Sequence, residues 1–456
     1  MADVLDRILA RKRTEVAARR RTIAPPPPSV RSLKTALARP DARFIMEVKP
    51  RSPSGHVARY SVEEASAAYA PVADAISVLT DSGDFGGSLD DIGRVREQFD
   101  GPILAKDFVI DAFQVPEARA AGADAVLAML SVLDDSLASE VMAAARRLAM
   151  DVLVEVHDET EMARAIALGA DIIGINNRDL KTLQTDLRVT ERLAPLAPEG
   201  VLVVAESGIA SRADVMRLSP LVDAFLVGSS LMAADDIGGA ARSLIHGRVK
   251  ICGLTREEDV EAVIRAGATH AGLILVPDTP RALSLDAARP LAMLARRGGL
   301  KTVGVFRDEE SAQVIAAARA LQLDAIQLHG RESAREIAQF RSCLPPSVEI
   351  WAVRGIDENM IEPPRNADRS LFDTRVGDRC GGSGIAFDWD RLRTDPELPG
   401  AFISGGLNAA NIGGAAKLGA HGLDLSSGVE SAPGIKDQAK LAGLFDALRP
   451  PARRAA

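Results

Sequence analysis

Short apolar runs alternate with amphipathic stretches along the whole chain. In the first half the runs are Arg43–Val48, Ala75–Leu79, Pro102–Ala105, Asp124–Leu130, Asp151–Val156, Asp171–Ile175, Val201–Ala205 and Asp223–Val227. In the second half they are Arg248–Ile251, His270–Leu275, Lys301–Phe306, Asp324–Leu328, Val348–Val353, Ser370–Phe372, Ala401–Ser404 and Gly422–Leu425. A stretch of helical periodicity follows each run, so the pattern predicts strands separated by helices, that is, parallel βα units. Several helix-to-strand junctions share one form: Ala121-Gly122-Ala123-Asp124, Leu168-Gly169-Ala170-Asp171, Ala266-Gly267-Ala268-Thr269 and Leu418-Gly419-Ala420-His421. There a left-handed glycine ends the helix and the next strand begins at once.

A new cycle of strands starts at Arg248, just after a closing helix over Ile237–His246. Eight runs lie on each side of it. A chain of 456 residues can hold two closed barrels, because one such barrel uses about 250 residues or fewer. The expected architecture is α/β: two fused (β/α)8 barrels, residues 1–246 and 248–456, joined without a flexible linker. Pro363-Pro364 reads as a loop. A doubly wound open sheet is the competing fold, but no Gly-x-Gly-x-x-Gly follows the first strand. Ahead of that strand, Leu5, Ile8, Leu9, Lys12 and Val16 recur at helical spacing. They predict an N-terminal helical extension over residues 3–20, stopped by Pro25–Pro28. Arg19, Arg20 and Arg21 read as a solvated charge run.

Composition narrows the chemistry. A net charge of -8 argues against a basic nucleic-acid surface. No apolar run is long enough to span a membrane, and Met1 to Arg21 lacks the apolar core of a secretory signal. Three widely spaced cysteines make no disulfide framework and point to a reducing, cytoplasmic setting. Six histidines without paired spacing, and no Cys-x-x-Cys, give no zinc site.

Polar residues gather where strands end. Glu47 and Lys49 end the first strand, and Lys106 and Asp107 the third. Glu155 ends the fifth. Asn176, Asn177 and Arg178 follow the sixth, Glu206 and Ser207 the seventh, Gly228 and Ser229 the eighth. In a parallel barrel these ends converge on one rim, where active sites sit. One lysine or glutamate alone would more often be an ion pair; six such ends in one mouth point to function.

The segments Glu-Val-Lys-Pro-Arg-Ser-Pro-Ser (47–54), Ile-Ser-Val-Leu-Thr-Asp (76–81), Lys-Asp-Phe (106–108), Glu-Val (155–156), Gly-Ile-Asn-Asn-Arg-Asp-Leu (174–180) and Glu-Ser-Gly-Ile (206–209) resemble indole-3-glycerol-phosphate synthase over nearly all of residues 1–246. The resemblance implies a TIM barrel that closes an indole ring with loss of carbon dioxide and water. It implies Lys106 as general acid, Glu155 as base, and Lys49 as the lysine that holds the substrate carboxylate. Glu47, Asn176 and Glu206 would orient the reacting groups. Ser52, Ser207, Gly208, Gly228 and Ser229 would cradle phosphate and substrate, with Phe108 and Arg178 also at the substrate.

The second half repeats the arrangement: Cys252, Arg281, His329 and Asp373 follow strands, and glycine-rich turns stand at Gly381–Gly384, Gly405-Gly406 and Ser426-Ser427-Gly428. Such turns let backbone N–H groups approach a phosphate. Lys-Ile-Cys-Gly-Leu-Thr (250–255), Gln-Leu-His-Gly (327–330), Phe-Asp-Thr (372–374), Gly-Gly-Ser-Gly (381–384), Gly-Gly-Leu (405–407) and Leu-Ser-Ser-Gly-Val-Glu (425–430) resemble phosphoribosylanthranilate isomerase over residues 248 to 448. That implies an Amadori rearrangement with Asp373 as general acid and Cys252 as general base. Arg281 would pair with the anthranilate carboxylate. His329, Gly382, Gly384, Gly405, Gly406, Ser426 and Ser427 would hold the substrate. The family pattern is altered at Thr279, where a serine usually stands, and at the end of the second strand of this half, Ile274-Leu275, where a phenylalanine is common. By itself Cys252 would read as a small buried hydrophobe.

The joint expectation is a bifunctional, monomeric enzyme acting on phosphorylated small molecules, with no metal, cofactor, nucleic-acid or membrane partner. A pair of barrels for another aldose–ketose substrate, and a non-catalytic phosphate-binding scaffold, are the rivals.

Overall fold

In the computed structural model, residues 4–453 are described apart from 20–22, 52–54, 56, 180–181, 378 and 382–383. The chain forms two compact units, one made of Met1–Leu244 with Pro450–Ala456 and the other of Ile245–Arg449.

The first unit is a closed parallel barrel of β1 (Arg43–Val48), β2 (Ala75–Leu79), β3 (Ile103–Lys106), β4 (Ala125–Met129), β5 (Asp151–Val156), β6 (Ile172–Asn176), β7 (Leu202–Glu206) and β8 (Ala224–Val227). Neighbours pair in chain order, and β8 closes on β1 through Ile45↔Leu226 and Met46↔Val227. A strand's side chains alternate between faces. The same inward face of a strand therefore carries an apolar filler and, two residues on, a polar group at the rim: Ile45 then Glu47, Leu104 then Lys106, Leu153 then Glu155, Val204 then Glu206. The fillers are fully buried in one core cluster that also takes Ile8 and Leu9 of the N-terminal helix α1 (Val4–Ala18).

The second unit closes too. Its strands are β9 (Arg248–Cys252), β10 (His270–Ile274), β11 (Lys301–Phe306), β12 (Ala325–Leu328), β13 (Glu349–Ile356), β14 (Arg369–Val376), the short β15 (Arg379–Cys380), β16 (Phe402–Ile403) and β17 (Gly422–Leu425), followed by the β18–β19 hairpin of Glu430–Ala432 and Ile435–Lys436. Eight of them form the barrel, with β13 paired to β14 and β17 paired to β9, while β15 hangs antiparallel on the end of β14.

All sixteen strands expected from the apolar runs are present. The four shared junction glycines, Gly122, Gly169, Gly267 and Gly419, have φ of +108°, +70°, +98° and +82°, the left-handed helix end that the pattern predicts. The chain's last segment differs from the expected division. After the helix Gln438–Leu448, Pro450 cannot continue it and gives its carbonyl to the Ala42 N–H at 2.9 Å, while the Arg453 N–H donates to the Val222 carbonyl at 2.9 Å. From Pro450 on, the residues thus belong with the first unit. No helix among the described residues is long and apolar enough to cross a membrane.

Candidate active sites

At the C-terminal ends of β1–β8 lies a cavity of about 330 Å³. Glu47, Lys49, Lys106, Phe108, Glu155, Asn176, Arg178, Glu206, Ser207, Gly208, Gly228 and Ser229 all line it. Ser52 lies outside the described residues. Lys106 is the hub. Its Nζ donates to Glu155 Oε2 at 3.0 Å and to Glu206 Oε2 at 2.8 Å. Asn176 Nδ2 donates to the other Glu155 oxygen at 3.1 Å, and Lys49 Nζ lies 2.5 Å from Glu47 Oε1 and 3.3 Å from Ser229 Oγ. A Cβ on Gly174 would overlap Glu206 Oε1, so a larger residue there would displace that carboxylate.

Burial alone would strip the proton from Lys106, but Glu155, Glu206 and Glu47 outweigh it and hold the ammonium well above its ordinary range. The two carboxylates diverge. Burial would raise Glu155, yet Lys106, His157 and Asn176 pull it down to about 2. Burial and the neighbouring carboxylates push Glu206 up to about 7, against the pull of Lys106. The hydrogen bonds explain the split, because both Glu155 oxygens are bonded whereas Glu206 Oε1 has no partner. Glu206 is therefore the member of the pair that takes a proton first.

The second barrel has its own cavity, of about 360 Å³, at the ends of β9–β17. Cys252, Arg281, His329, Asp373, Gly384, Gly405, Gly406, Ser426 and Ser427 line it, and Gly382 lies outside the described residues. Burial, and next Asp424, push the Asp373 carboxyl up to about 7, so it is largely neutral below that pH. Burial likewise raises the Cys252 thiol, with Lys250 pulling the other way. Arg281 is not free: its Nη2 and Nε donate to the Glu430 carboxylate at 2.6 and 2.9 Å.

Residues 5–244 match the family model of indole-3-glycerol phosphate synthase, and residues 249–447 that of N-(5'-phosphoribosyl)anthranilate isomerase. The chain is 42% identical to tryptophan biosynthesis protein TrpCF of Vibrio cholerae, over 92% of this chain and 89% of that one. It is 44% identical to TrpCF of Salmonella typhi over 92% of each. With TrpCF of Helicobacter pylori it shares 41% identity over 98% of this chain and all of the other. The chain belongs to the TrpCF family. It is a bifunctional enzyme of tryptophan biosynthesis, with the synthase in the first barrel and the isomerase in the second.

Several charged residues around both TrpCF sites escaped the sequence pattern. In the synthase, His157 Nδ1 lies 3.0 Å from Glu161 and its Nε2 3.4 Å from Glu155 Oε1. Lys12 of α1, 1% exposed, sits 2.9 Å from Asp81 and 2.7 Å from Asp107, the neighbour of Lys106. Lys12 falls on the apolar stripe of α1 because its ammonium goes inward to these carboxylates. In the isomerase, Lys436 Nζ bridges Glu430 at 2.7 Å and the Cys252 carbonyl at 2.6 Å, and Lys250 pairs with Asp424 inside the barrel. One signal was available for Lys250 and Asp424: a charge within an otherwise apolar strand must find a buried partner.

Proposed function

We propose that the second barrel isomerises N-(5'-phosphoribosyl)anthranilate through Asp373 and Cys252, and that the first barrel closes the indole ring of the product through Lys106 and Glu155. In the isomerase, neutral Asp373 protonates the furanose oxygen to open the ring. The Cys252 thiolate then takes the C2 proton, giving 1-(2-carboxyphenylamino)-1-deoxyribulose 5-phosphate. Only the thiolate can act so; burial keeps that form scarce, and Lys250 pulls the thiol towards it. Arg281 exchanges or shares its Glu430 contact with the anthranilate carboxylate. His329 and the glycine turns hold the remaining polar groups, the phosphate on backbone N–H groups.

In the synthase, Lys106 gives its proton to the ketone oxygen as the aromatic carbon attacks C2. Loss of carbon dioxide follows, then dehydration with Glu155 taking the proton. Lys49 holds the carboxylate that leaves, while Glu47, Asn176 and Glu206 keep the ammonium groups in place. Ser52, Ser207, Gly208, Gly228 and Ser229 hold the phosphate beside β7 and β8, the usual phosphate corner of this barrel. Phe108 and Arg178 border the aromatic end. The observation that carries this assignment is the Lys106 ammonium shared by Glu155 and Glu206, at 3.0 and 2.8 Å, at the mouth of the barrel.

We place the functional boundary at 246–248 and propose a monomer acting in the cytoplasm. Each barrel closes on its own strands around its own cavity, and Cys252 and Cys343 are free. The test is the coupled reaction: purified chain given N-(5'-phosphoribosyl)anthranilate, without added metal, forms indole-3-glycerol phosphate. Accumulation of substrate, or of the ketose phosphate alone, overturns the joint assignment.

A further inference from the structure

Lys250 is fully buried in β9, between the buried apolar residues Val249 and Ile251. It stands two residues before Cys252, so both side chains leave β9 on the same face. A Cβ on Gly272 of the adjacent β10 would lie 2.8 Å from Cys252 Sγ and 3.0 Å from Lys250 Cε. The two side chains thus converge over the one position in β10 that has no side chain. The Lys250 ammonium donates to both Asp424 oxygens, at 2.9 and 3.0 Å, and its charge favours the Cys252 thiolate against the effect of burial.

We propose that Lys250 is a positioning residue of the isomerase: held between Asp424 and Cys252, its ammonium stabilises the thiolate form of Cys252. The proposal rests on Cys252 being the base. In that step the C2–H bond breaks and an S–H bond forms. The C2–H electron pair becomes the C1=C2 bond of the enolamine, and the C1=N pair returns to the protonated imine nitrogen. The charged groups facing Cys252 are Lys250 from its own strand, Asp424 from β17, Lys436 from β19 and Arg281 from the loop after β10. Lys436 and Arg281 are both bonded to Glu430, which offsets their charge. Asp424 opposes the anion but fixes the ammonium. Lys250 is the one of these cations that leaves β9 on the same face as the thiol, two residues before it.

The test is the pH dependence of Cys252 alkylation by iodoacetamide in the full chain, read by mass spectrometry of the Cys252 peptide. K250M raises the midpoint by about one pH unit or more, which is about tenfold less thiolate at neutral pH. D424N lowers it, because the opposing carboxylate is gone and the ammonium is released towards sulfur. A K250M midpoint at or below the parent value overturns the proposal. Should K250M not accumulate as folded protein, K250Q takes its place, and a K250Q midpoint at or below the parent overturns the proposal. C252A separates the two levels. Isomerisation by C252A would remove the base assignment itself, whereas an inactive C252A with an unmoved K250M midpoint would remove only the role of Lys250.

Discussion

The two barrels share a frame and run proton chemistry by opposite electrostatic means. In the synthase the acid and the base are held ionised, the Lys106 ammonium between carboxylates at 2.8 and 3.0 Å and Glu155 as its anion. In the isomerase the acid and the base are both pushed towards their neutral forms, Asp373 as a carboxylic acid and Cys252 as a thiol, chiefly by burial. The difference follows from what each reaction asks. Ring closure onto a ketone can use an ammonium whose charge also steadies anionic intermediates. An Amadori rearrangement needs a neutral acid to open an ether ring and a base made only when required. A parallel barrel sets where groups stand, and the neighbours of each strand end set which protons they hold.

The sharpest way to break the comparison is to cut one centre and watch the other. Lys106→Ala should lower indole-3-glycerol phosphate formation by at least about 10³-fold, since it removes the proton donor and leaves Glu155 and Glu206 facing each other. Isomerisation, followed by loss of phosphoribosylanthranilate fluorescence, should be unchanged. Cys252→Ala and Asp373→Ala should do the reverse by a similar factor. Loss of both activities in any of these variants would show that the sites are not independent.

A smaller effect concerns stability. Lys12→Met in α1 leaves Asp81 and Asp107 buried without their shared ammonium, although Arg11 still reaches Asp81 at 2.7 Å. Breaking a buried pair on one side costs about 3–5 kcal/mol. Unfolding in urea, with each activity as the probe of its own unit, should show the synthase lost at lower urea and the isomerase at its parent midpoint. An unshifted synthase midpoint would mean that the Lys12 contact is energetically idle.

How far the sequence reached can be seen at particular strands. A period of two that ends on a polar residue made Glu47, Lys106, Glu155, Glu206 and Cys252 legible, because strand geometry forces the last inward position to the rim. The same rule ended two strands too soon by three residues or more. The apolar run stops at Val353, but β13 continues to Ile356, and Arg354 stays in it with its guanidinium 4.8 Å from the Phe372 ring centre and 2.9 Å from Asp395. Likewise β14 continues through Asp373 to Val376. What stayed hidden was pairing at a distance. Lys250 meets Asp424, Arg281 meets Glu430 and Lys12 meets Asp107, and no local pattern encodes which charge lies opposite across a closed barrel. The tail joins the first unit through two backbone hydrogen bonds and the Arg453 guanidinium on the Ala197 carbonyl, and backbone partners carry no signature in the sequence.

The smallest effect, and the most direct measure of the contrast, is in pH. Lys106 is held charged and Glu155 ionised throughout the neutral range, so neither role changes between about pH 5 and 9. A break in synthase kcat/KM near pH 7 that Glu206→Gln erases belongs to Glu206; one that survives belongs to His157, which, against burial, its carboxylate neighbours raise. The isomerase needs Asp373 protonated and Cys252 ionised, while Asp373 titrates at about 7 and the thiol above its ordinary value. Well below pH 7 Asp373 is protonated and the thiolate fraction grows with pH, so kcat/KM should rise about tenfold per pH unit. Above it, loss of the acid cancels gain of the thiolate, and the curve should level until the thiol itself titrates. Such limbs belong to the coupled set of Asp373, Asp424, Lys250 and Cys252 rather than to one residue. An isomerase profile that falls from pH 7 upward would instead mean a thiol already ionised at neutrality, and would erase the electrostatic contrast between the barrels.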